Sequence, residues 1–589
     1  MPIRLSTHAE RHSMIRGEPS RGEHTLKGIP ASAGLAIGKA VVLNVATGSS
    51  TPERIAPHEV EAEVSRFRVA LEAVVAELVR ASELARSESA TVSSIIESFL
   101  LIVGDPIVTQ SICERIGAGA SAEAAVIAEY DAAKGTLVMA NDPFLRERVQ
   151  DFEHVRERVL AMLRNATLAH SVASDSIVVA GSITPQDMLF FKHSKTLGFV
   201  TEVGGINSHA CILARDLSLP AVIGIRSATT EIVSGQTIIV DGFAGVVVVD
   251  PDEATLLEYV RRHHELAEHR KRLGELIGQP SQTSDGIGVK LYVNVDTPQQ
   301  AVEAVMQGAD GIGLVRTEFL LVQQGRYPTV EEQEEWYREI ALRAFPLPVT
   351  FRAFDVGSDK FRIGIPHHED NPALGLRGIR FLLFKPDVFE QQVCAVLRAS
   401  ANRNVRFMLP MVSVIDEVVQ AKAVIERCKE RLRAEGVDHD PNMPIGIMIE
   451  TPSAALMTES LAASVDFMSI GSNDLTQYAL ATDRTNELVA DIYDALHPSV
   501  LRLIAFVVDA ANKMNKPVSL CGELAGHAIA SEMLVGLGLH EFSVSPALLL
   551  ELKSRIRATT HAACVERAKA AVFQSSTADV YTVLSQGRP

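Results

Sequence analysis

Three arginines and two acids in the second half of the chain have side chains suited to binding a small anion together with a metal ion. Arg316, Arg352 and Arg484 offer planar guanidinium groups, which bind phosphate or carboxylate oxygens in bidentate fashion. Glu450 and Asp474 supply hard oxygen ligands, too few for a calcium cage but suited to Mg²⁺, which also keeps water and substrate oxygens. This set predicts a magnesium-assisted site for a phosphate or carboxylate.

Cys521 adds a thiol that could donate a proton to carbon, provided that its pKa is tuned. The alternative is a small buried hydrophobe, which is common for a free cysteine. Any single polar residue at a strand end is explained by its contact with solvent. The whole set, if it converges on one face, instead indicates a binding site for a small phosphorylated enol acid together with magnesium.

A separate candidate is His209, within the stretch GGINSHACILAR at residues 204–215. Asn207 or Ser208 can cap a helix that begins near this histidine, and the free amides and dipole of the helix start would stabilise a phosphate on the imidazole ring. By itself the pattern favours a structural histidine at a capped helix. Its pairing with a distant phosphate-binding set favours a phosphorylated nucleophile.

The elements that must position the first set are short apolar runs alternating with helical patterns in the second half of the chain. Eight strands in this rhythm predict a (β/α)8 barrel, although doubly wound sheets share the alternation. A barrel carries its chemistry at the carboxyl ends of its strands, where the polar residues above are found. The eight runs are VKLYVNV, GIGLV, PVTFRAF, VRFMLPM, PIGIMI, VDFMSI, KPVSL and HEFSV.

The first half of the chain has a different pattern of apolar residues. Residues 28–43 and five β-branched runs between 175 and 250 predict a compact α/β module, and apolar residues at three- and four-residue steps predict helices over 58–165. The spacing of the leucines predicts an amphipathic connecting helix over 252–278.

Composition excludes several classes of protein. The formal net charge of −17 argues against a general nucleic-acid binder. Six cysteines without CxxC spacing indicate a reducing, cytoplasmic compartment rather than a disulfide scaffold or zinc site. The charged N-terminus lacks a signal-peptide pattern, and no apolar run is long enough for a membrane span.

These motifs together carry a family resemblance. The His209 stretch resembles the phosphohistidine motif of the phosphoenolpyruvate-utilising enzymes. From about residue 28 onward the chain resembles the enzyme I family of the bacterial phosphotransferase system. The barrel motifs that carry the resemblance, in order, are GIGLVRTEFLL, FRAFDVGSDK, DNPALGLRGIR, IGIMIETPSA, FMSIGSNDLTQYALATDR and LCGELAG.

The resemblance implies a role for each site residue. His209 is the expected phosphorylated histidine, and Cys521 the acid that protonates enolpyruvate. Phosphoenolpyruvate is expected to bind Arg316, Arg352, Arg484 and Asn473, with Asp474 beside them, and Arg377 and Lys360 as further positive charges. Mg²⁺ is expected on Glu450 and Asp474.

The resemblance also implies the organisation of the chain and its partners. A histidine phosphocarrier protein (HPr or a relative) is expected to dock on the helical insertion, and the barrel to form a homodimer, with no nucleic acid and no membrane insertion. His209 must travel between the barrel and the carrier, which makes 252–278 a candidate hinge. The predicted domains are an N-terminal extension 1–27, a swivelling phosphohistidine domain 28–50 and 166–250, an inserted helical domain 51–165, a linker helix 251–284, a barrel 285–575 and a tail 576–589.

Three departures from the family pattern concern the partner more than the chemistry. Phe99 stands where a histidine is usual, Ser358 replaces a glycine, and Ile206 with Asn207 replaces the commoner Arg-Thr pair, as in a nitrogen-regulatory paralogue. That paralogue is therefore an alternative. A metal-dependent barrel enzyme acting on pyruvate enolate would not explain the histidine motif. An ATP-linked dikinase would need a nucleotide-binding domain before His209, and a scaffold without turnover would not retain every active group.

Overall fold

The computed structural model describes residues 22–43, 54–88, 90–139, 149–164, 174–183, 187, 191, 194–203, 214, 219–324, 326–357, 369–484 and 486–585. The chain divides into two compact units, Met1–Glu268 and His269–Pro589. Each unit has its own hydrophobic core, and each is described by itself below.

The first unit contains a mixed eight-stranded sheet in the order β1-β8-β7-β3-β4-β5-β6-β2. The central strands β3 to β6 run parallel, and the flanking pairs are antiparallel. Strands on either side of the long helical segment therefore share one sheet, as the sequence predicted. The strands are β1 His24–Lys27, β2 Ile29–Ser32, β3 Leu35–Leu43, β4 Ser176–Ala180, β5 Gly198–Thr201, β6 Ala221–Ile223, β7 Thr237–Asp241 and β8 Val246–Val249.

Strand β4 shows how this sheet is stabilised. Successive side chains of a strand point to opposite faces, so Ile177 and Val179 join one apolar cluster while Val178 and Ala180 join another. The second cluster also contains Phe67 and Val74 from the helical segment. The all-apolar run of β4 therefore matches a strand that is covered on both faces.

The sheet begins earlier than the sequence analysis expected. Residues 24–27 were assigned to an N-terminal extension, but they form β1, which pairs with β8 from His24–Val249 to Lys27–Val246. Only Leu26 of this edge strand is buried. Its sequence, HTLK, therefore needs only one apolar residue and contains no pair of β-branched apolar residues. Backbone pairing with β8 defines the strand, and that pairing leaves little trace in the side-chain pattern.

Within the described residues, five helices lie between β3 and β4, over the segment that the sequence predicted to be helical. Asp105 caps the third helix by accepting a hydrogen bond from the Ile107 N–H at 2.8 Å. Among the described residues, no single helix has the length and hydropathy of a membrane span, although the bent pair Ile96–Val103 and Pro106–Gly117 passes that test jointly. The helices are α1 Val60–Glu88, α2 Ala90–Val103, α3 Pro106–Gly117, α4 Ala122–Met139 and α5 Val149–Leu163.

Among the described residues, a short helix α6, Ala228–Glu231, lies between β6 and β7, and a long helix α7, Glu253–Gly274, follows β8. Helix α7 matches the predicted connecting helix over 252–278 and crosses the division between the two units. Of the apolar stripe seen in the sequence, Leu273 is buried, whereas Leu257 and Val260 are exposed.

The second unit is a closed barrel of eight parallel strands, in which β16 pairs with β9 to complete the ring. The predicted (β/α)8 barrel is confirmed, and the doubly wound sheet is excluded. All eight apolar runs picked out in the sequence form its strands. These are β9 Lys290–Val295, β10 Gly311–Arg316, β11 Val349–Arg352, β12 Val405–Leu409, β13 Ile445–Ile449, β14 Phe467–Ile470, β15 Val518–Leu520 and β16 Glu541–Val544.

Helices surround the barrel, and two apolar clusters stabilise it. The larger cluster packs helices against the outer faces of the strands, and a small inner cluster of Leu314, Met408, Met448 and Phe467 includes Cys521. The helices are α8 Pro298–Met306, α9 Glu318–Gln324, α10 Val330–Ala344, α11 Ile379–Phe384, α12 Pro386–Ala399, α13 Ile415–Ala434, α14 Pro452–Leu456, α15 Thr458–Ala462, α16 Ser472–Leu480, α17 Pro498–Lys513, α18 Ser531–Gly536, α19 Leu549–Ala558, α20 His561–Val572 and α21 Thr577–Ser585.

Candidate functional site

A cavity of about 470 Å³ opens at the carboxyl ends of the barrel strands. Seven of the predicted site residues line it, although they come from segments spread over some two hundred positions of the chain. His209 and Lys360, together with Ser358, Ile206 and Asn207, lie outside the described residues. The predicted residues in the cavity wall are Arg316, Arg352, Glu450, Asn473, Asp474, Arg484 and Cys521.

Arg352 ends strand β11 and is held from three sides. Its Nη2 donates a hydrogen bond to Glu318 Oε1 at 3.1 Å, and its Nη1 lies 3.5 Å from Asp355 Oδ2. The Thr317 hydroxyl donates to its backbone carbonyl at 2.8 Å. Its buried Nε has no hydrogen-bond partner among the described residues. The guanidinium is therefore fixed in place with one donor left for a ligand.

Arg377 lies behind the cavity wall and is tied to the same acid. Asp355 accepts two hydrogen bonds from it, at 2.8 Å from Nη2 and 3.3 Å from Nε. Nη1 of Arg377 donates to the Tyr478 hydroxyl at 3.2 Å and lies 3.6 Å from Asp474 Oδ1. The bidentate pair leaves little freedom to Arg377. Asp355 thus connects two arginines that the sequence analysis treated as independent.

No role was assigned from the sequence to Glu318, Asp355 or Tyr478, although Glu318 and Asp355 lie just after strand-forming runs. A signal existed for two of them. Asp355 follows Arg352 by three residues. Tyr478 follows Asp474 by four residues, which places Asp474 and Tyr478 on one face of α16. The pairing of Asp355 with Arg377 has no such signal, since no periodic pattern links the two positions.

Glu450 directly follows strand β13 and is almost fully buried, with 1% of its surface exposed. Burial, reinforced by the nearby charges of Asp474 and Asp355, raises the pKa of its carboxyl to about 8. Its Oε1 accepts the Met411 N–H at 2.6 Å. A Cβ at Gly471 would lie 2.9 Å from Oε2, so only glycine leaves this oxygen its space.

Asp474 stands in the first turn of α16, where the helix dipole favours a carboxylate. Its buried Oδ1 accepts no hydrogen bond from any described residue. A buried Glu450 whose proton affinity is raised by the charge of Asp474, beside an Asp474 oxygen that accepts no hydrogen bond, is an arrangement that a divalent cation relieves. Within the described part of the chain no three His, Cys, Asp or Glu side chains cluster as a metal site. The donor set therefore fits a cation that completes its shell with water and substrate oxygens, as Mg²⁺ does.

Cys521 follows strand β15 and faces the cavity from the inner apolar cluster. Burial raises the pKa of its thiol to about 11, and a hydrogen bond with Ser469 opposes the shift only in part. The backbone carbonyl accepts a hydrogen bond from Asn294 Nδ2 at 3.0 Å, which holds the residue in position. The two explanations offered for this cysteine are therefore compatible: the thiol is buried, and burial keeps it protonated where it borders the cavity.

Asn473 joins two segments of the cavity rim. Its Nδ2 donates to Glu523 Oε1 at 3.1 Å, its Oδ1 accepts the Glu523 N–H at 3.0 Å, and its carbonyl accepts the Tyr493 hydroxyl at 3.0 Å. A Cβ at Gly522 would lie 2.0 Å from Ser472 Oγ, so the close approach of these segments requires a glycine. The amide is thereby oriented at the rim.

Arg316 and Arg484 are more exposed than Arg352. The side chain of Arg316 is 52% exposed, and its Nη1 lies 3.6 Å from Asp296 Oδ2. The backbone N–H of Arg484 donates to Gln477 Oε1 at 3.2 Å. The cavity thus has a rigid arginine at its floor and two solvated arginines at its mouth, a distribution that suits capture of an anion from solution.

Comparison with known proteins gives similarity over nearly the whole chain. Family models of the PEP-utilising enzymes match residues 27–148 (N-terminal), 172–245 (mobile domain) and 270–561 (PEP-binding domain). The phosphoenolpyruvate-protein phosphotransferase of Priestia megaterium is 37% identical over 561 residues, which cover 94% of this chain and 97% of that protein. The protein of the same name from Cupriavidus necator is 38% identical over 561 residues, 92% of this chain and 94% of its own. A solution structure of an Enzyme I protein is 33% identical, with a TM-score of 0.36, and covers 41% of this chain and 99% of its own.

Proposed function

The chain belongs to the family of phosphoenolpyruvate–protein phosphotransferases, and we propose that it transfers the phosphoryl group of phosphoenolpyruvate to His209 and then to a histidine of a small phosphocarrier protein, releasing pyruvate. One observation carries the proposal. Arginines, a carboxylate pair and a protonated thiol line a single cavity at the carboxyl ends of the barrel strands. Each of these groups has a use in this reaction, and no other reaction considered above needs all of them together with His209.

The proposed substrate is a small trianion, and the arginines balance its negative charge. Arg352 offers its free Nε from a fixed position, and Arg316 and Arg484 can close on the phosphate and carboxylate from the mouth. Asn473 supplies an oriented amide. Arg377 contributes charge from behind Asp355, and Lys360, outside the described residues, is proposed as a further cation on the sequence motif alone.

Mg²⁺ is proposed to bind Glu450 and Asp474, where it would neutralise charge on the bound phosphate and carboxylate. The unsatisfied Asp474 oxygen and the raised pKa of Glu450 support this assignment. Glu450 would hold the cation as a carboxylate, so cation binding would be accompanied by loss of the Glu450 proton.

The chemistry has two halves. A ring nitrogen of His209 attacks the phosphorus in line, so that a phosphorus–nitrogen bond forms and the bond to the enol oxygen breaks. Arg352, held by Glu318 and Asp355, stabilises the charge on the transferring group without having to reorganise. The enolate then takes a proton on its methylene carbon from the Cys521 thiol, and pyruvate leaves.

The second transfer needs a carrier, and the helical bundle is the proposed docking surface. Leu101 in α2 and Ile107 in α3 are 74% and 76% exposed on either side of the bend between these helices. Phe99, the departure from the family pattern, is instead buried and packs edge-on against the His154 ring at 6.0 Å. We therefore assign Phe99 to the interior of the bundle rather than to partner contact. Leu101→Asp should slow transfer to the carrier while self-labelling of His209 persists, and Val233→Asp, in the loop between α6 and β7, is the matched control at another exposed apolar residue.

The barrel is proposed to form a homodimer through apolar side chains near its rim. Ser413 connects the segments that carry them: its carbonyl accepts the Ser453 hydroxyl at 2.8 Å, and its hydroxyl accepts an Arg380 N–H at 2.9 Å. Replacing two of these apolar residues by aspartate should shift the sedimentation coefficient to that of a monomer. The exposed apolar residues on these segments are Leu374, Phe384, Val414, Val419 and Leu456.

The cytoplasm is the proposed location. Sugar uptake is the proposed pathway, and nitrogen regulation is the alternative, which the NSHA sequence around His209 favours. The two differ in the carrier that receives the phosphoryl group. Parallel transfer assays with a sugar-type and a nitrogen-type carrier separate them by rate. Helix α7, between the mobile and barrel parts of the chain, is the proposed hinge.

The central test is incubation with labelled phosphoenolpyruvate and Mg²⁺, without nucleotide. The protein should take up an acid-labile, base-stable label that disappears in His209→Ala. His264→Ala, which removes an exposed histidine of α7, should label normally. A requirement for ATP, or full labelling of His209→Ala, would refute the proposal.

A further inference from the structure

Two cysteines outside the cavity face each other across neighbouring helices of the barrel. Cys394 lies in α12 and Cys428 in α13, and both are buried. The Cys428 sulfur lies 3.8 Å from the carbonyl oxygen of Glu390, which is one helical turn before Cys394 in α12. The reaction proposed above uses neither thiol.

A cation accompanies the pair. Arg431, one turn after Cys428 in α13, donates a hydrogen bond from Nη2 to the Cys394 sulfur. The hydrogen bond from Cys428 and the charge of Arg431 lower the pKa of Cys394 to about 7, against burial, which would raise it. The same hydrogen bond and burial raise the pKa of Cys428. The pair therefore consists of one sulfur that readily becomes a thiolate and one that keeps its proton.

The other buried cysteines in the part of the chain that the structure describes, Cys521 and Cys564, lack this arrangement. Burial raises the pKa of both Cys521 and Cys564, so each stays a thiol at neutral pH. Oxidation is selective for sulfurs with thiolate character, above all where a second thiol stands ready to resolve the product. Cys394 meets both conditions. Although its side chain is buried, the Arg431 side chain that lies on its sulfur is exposed, so a movement of Arg431 opens a path from solvent.

We propose that Cys394 and Cys428 form a modification site at which a hydroperoxide converts the two thiols into an intramolecular disulfide. The Cys394 thiolate attacks the terminal peroxide oxygen, the oxygen–oxygen bond breaks, and an alcohol (water, for hydrogen peroxide) leaves with a proton. The sulfur of Cys428 then attacks the resulting sulfenic acid, the sulfur–oxygen bond breaks, and water leaves with the Cys428 proton. The two thiols supply the two electrons that reduce the peroxide.

The test uses the full-length protein and hydrogen peroxide at pH 7, followed by alkylation and non-reducing peptide mapping. Wild-type protein should yield one cross-linked species containing Cys394 and Cys428, which a dithiol reductant reverses. Cys428→Ser should accumulate a dimedone-reactive sulfenic acid on Cys394, whereas Cys394→Ser should leave Cys428 alkylatable. Cys113→Ser, a change in the helical bundle of the first unit, should cross-link as the wild type does.

Arg431→Met tests the cause of the reactivity without removing a thiol. The cross-linking rate at pH 7 should fall several-fold, up to the roughly 15-fold ratio of thiolate fractions expected if the pKa returns to about 8.5. Recovery of both cysteines as free thiols in the wild type, under peroxide that oxidises Cys113, would overturn the proposal. Those thiols would then be ordinary core residues.

Discussion

Asp355→Asn isolates the role of the acid that links the two buried arginines. The carboxylate accepts two hydrogen bonds from Arg377, at 2.8 and 3.3 Å, and lies 3.5 Å from Arg352. An asparagine of the same shape keeps one acceptor but points an NH₂ group at a guanidinium. Two charge-assisted hydrogen bonds are thereby lost or weakened, each worth about 1.5–3 kcal/mol.

About half of this cost is recovered when the guanidinium groups find other partners, including the substrate, which leaves about 1.5–3 kcal/mol. That value corresponds to a loss of about 10- to 150-fold in the rate of phosphoryl transfer. Because the residue positions Arg352 rather than touching the substrate, the loss should fall on kcat, with a small effect on KM. If Asp355 acted only through its charge, the main change would instead be in KM. Removing a negative charge beside the site would tighten phosphoenolpyruvate binding and lower KM.

The assay is pyruvate release in the presence of carrier, coupled to lactate dehydrogenase, with the far-ultraviolet circular dichroism spectrum and thermal midpoint as checks of folding. Asp509→Asn is the matched control, because its ion pair with Lys513 lies on the surface and is 63% exposed on both sides. A kcat within twofold of wild type for Asp355→Asn, in a folded protein, would refute the positioning role. Restored activity in Asp355→Glu would argue for charge rather than geometry.

Four further outcomes follow from the structure. Cys521→Ala should slow pyruvate formation while phosphoenolpyruvate binding, measured by calorimetry, stays within about threefold; equal turnover would remove Cys521 from the acid role. Burial raises the pKa of Cys521 to about 11, above the ordinary value of about 9. Its contribution to the free energy of unfolding is therefore complete below pH 9 and falls by about 3 kcal/mol between pH 9 and pH 11. This loss should be absent in Cys521→Ser. Gly471→Ala, whose Cβ would lie 2.9 Å from Glu450 Oε2, should weaken binding of Mn²⁺ measured by electron paramagnetic resonance, and undiminished affinity would exclude Glu450 as a ligand. Phe99→Ala should lower the free energy of unfolding of the helical bundle by about 3–5 kcal/mol while PEP-dependent labelling persists, and a loss confined to carrier transfer would return Phe99 to the docking surface.

Much of the fold could be predicted because side-chain burial leaves a local record in the sequence. Each barrel strand is a short apolar run, and the polar residue that follows it marks the carboxyl end, as Arg316, Glu450 and Cys521 do. Burial of β4 on both faces is likewise recorded in its unbroken apolar run, SIVVA. The edge strand β1 escaped prediction because backbone pairing with β8, rather than burial, defines it.

The candidate site could be predicted as a set of residues but not as a network. Closure of the barrel brings Tyr478 to Arg377 across 101 residues of chain, and Asp355 to Arg377 across 22. Contacts of this kind depend on which strand ends become neighbours, and no periodic pattern records them. The same holds for Cys394 and Cys428, which look like scattered cysteines until α12 and α13 pack side by side.

The sequence by itself therefore determined the family, the strands of the barrel and the groups that carry the chemistry, since each depends on residue type and near spacing. The tertiary structure decided which acid holds which arginine, why Glu450 binds its proton tightly, and that Phe99 points into the bundle. These properties come from burial and from charges brought close by folding, and burial and proximity exist only once the chain has closed on itself.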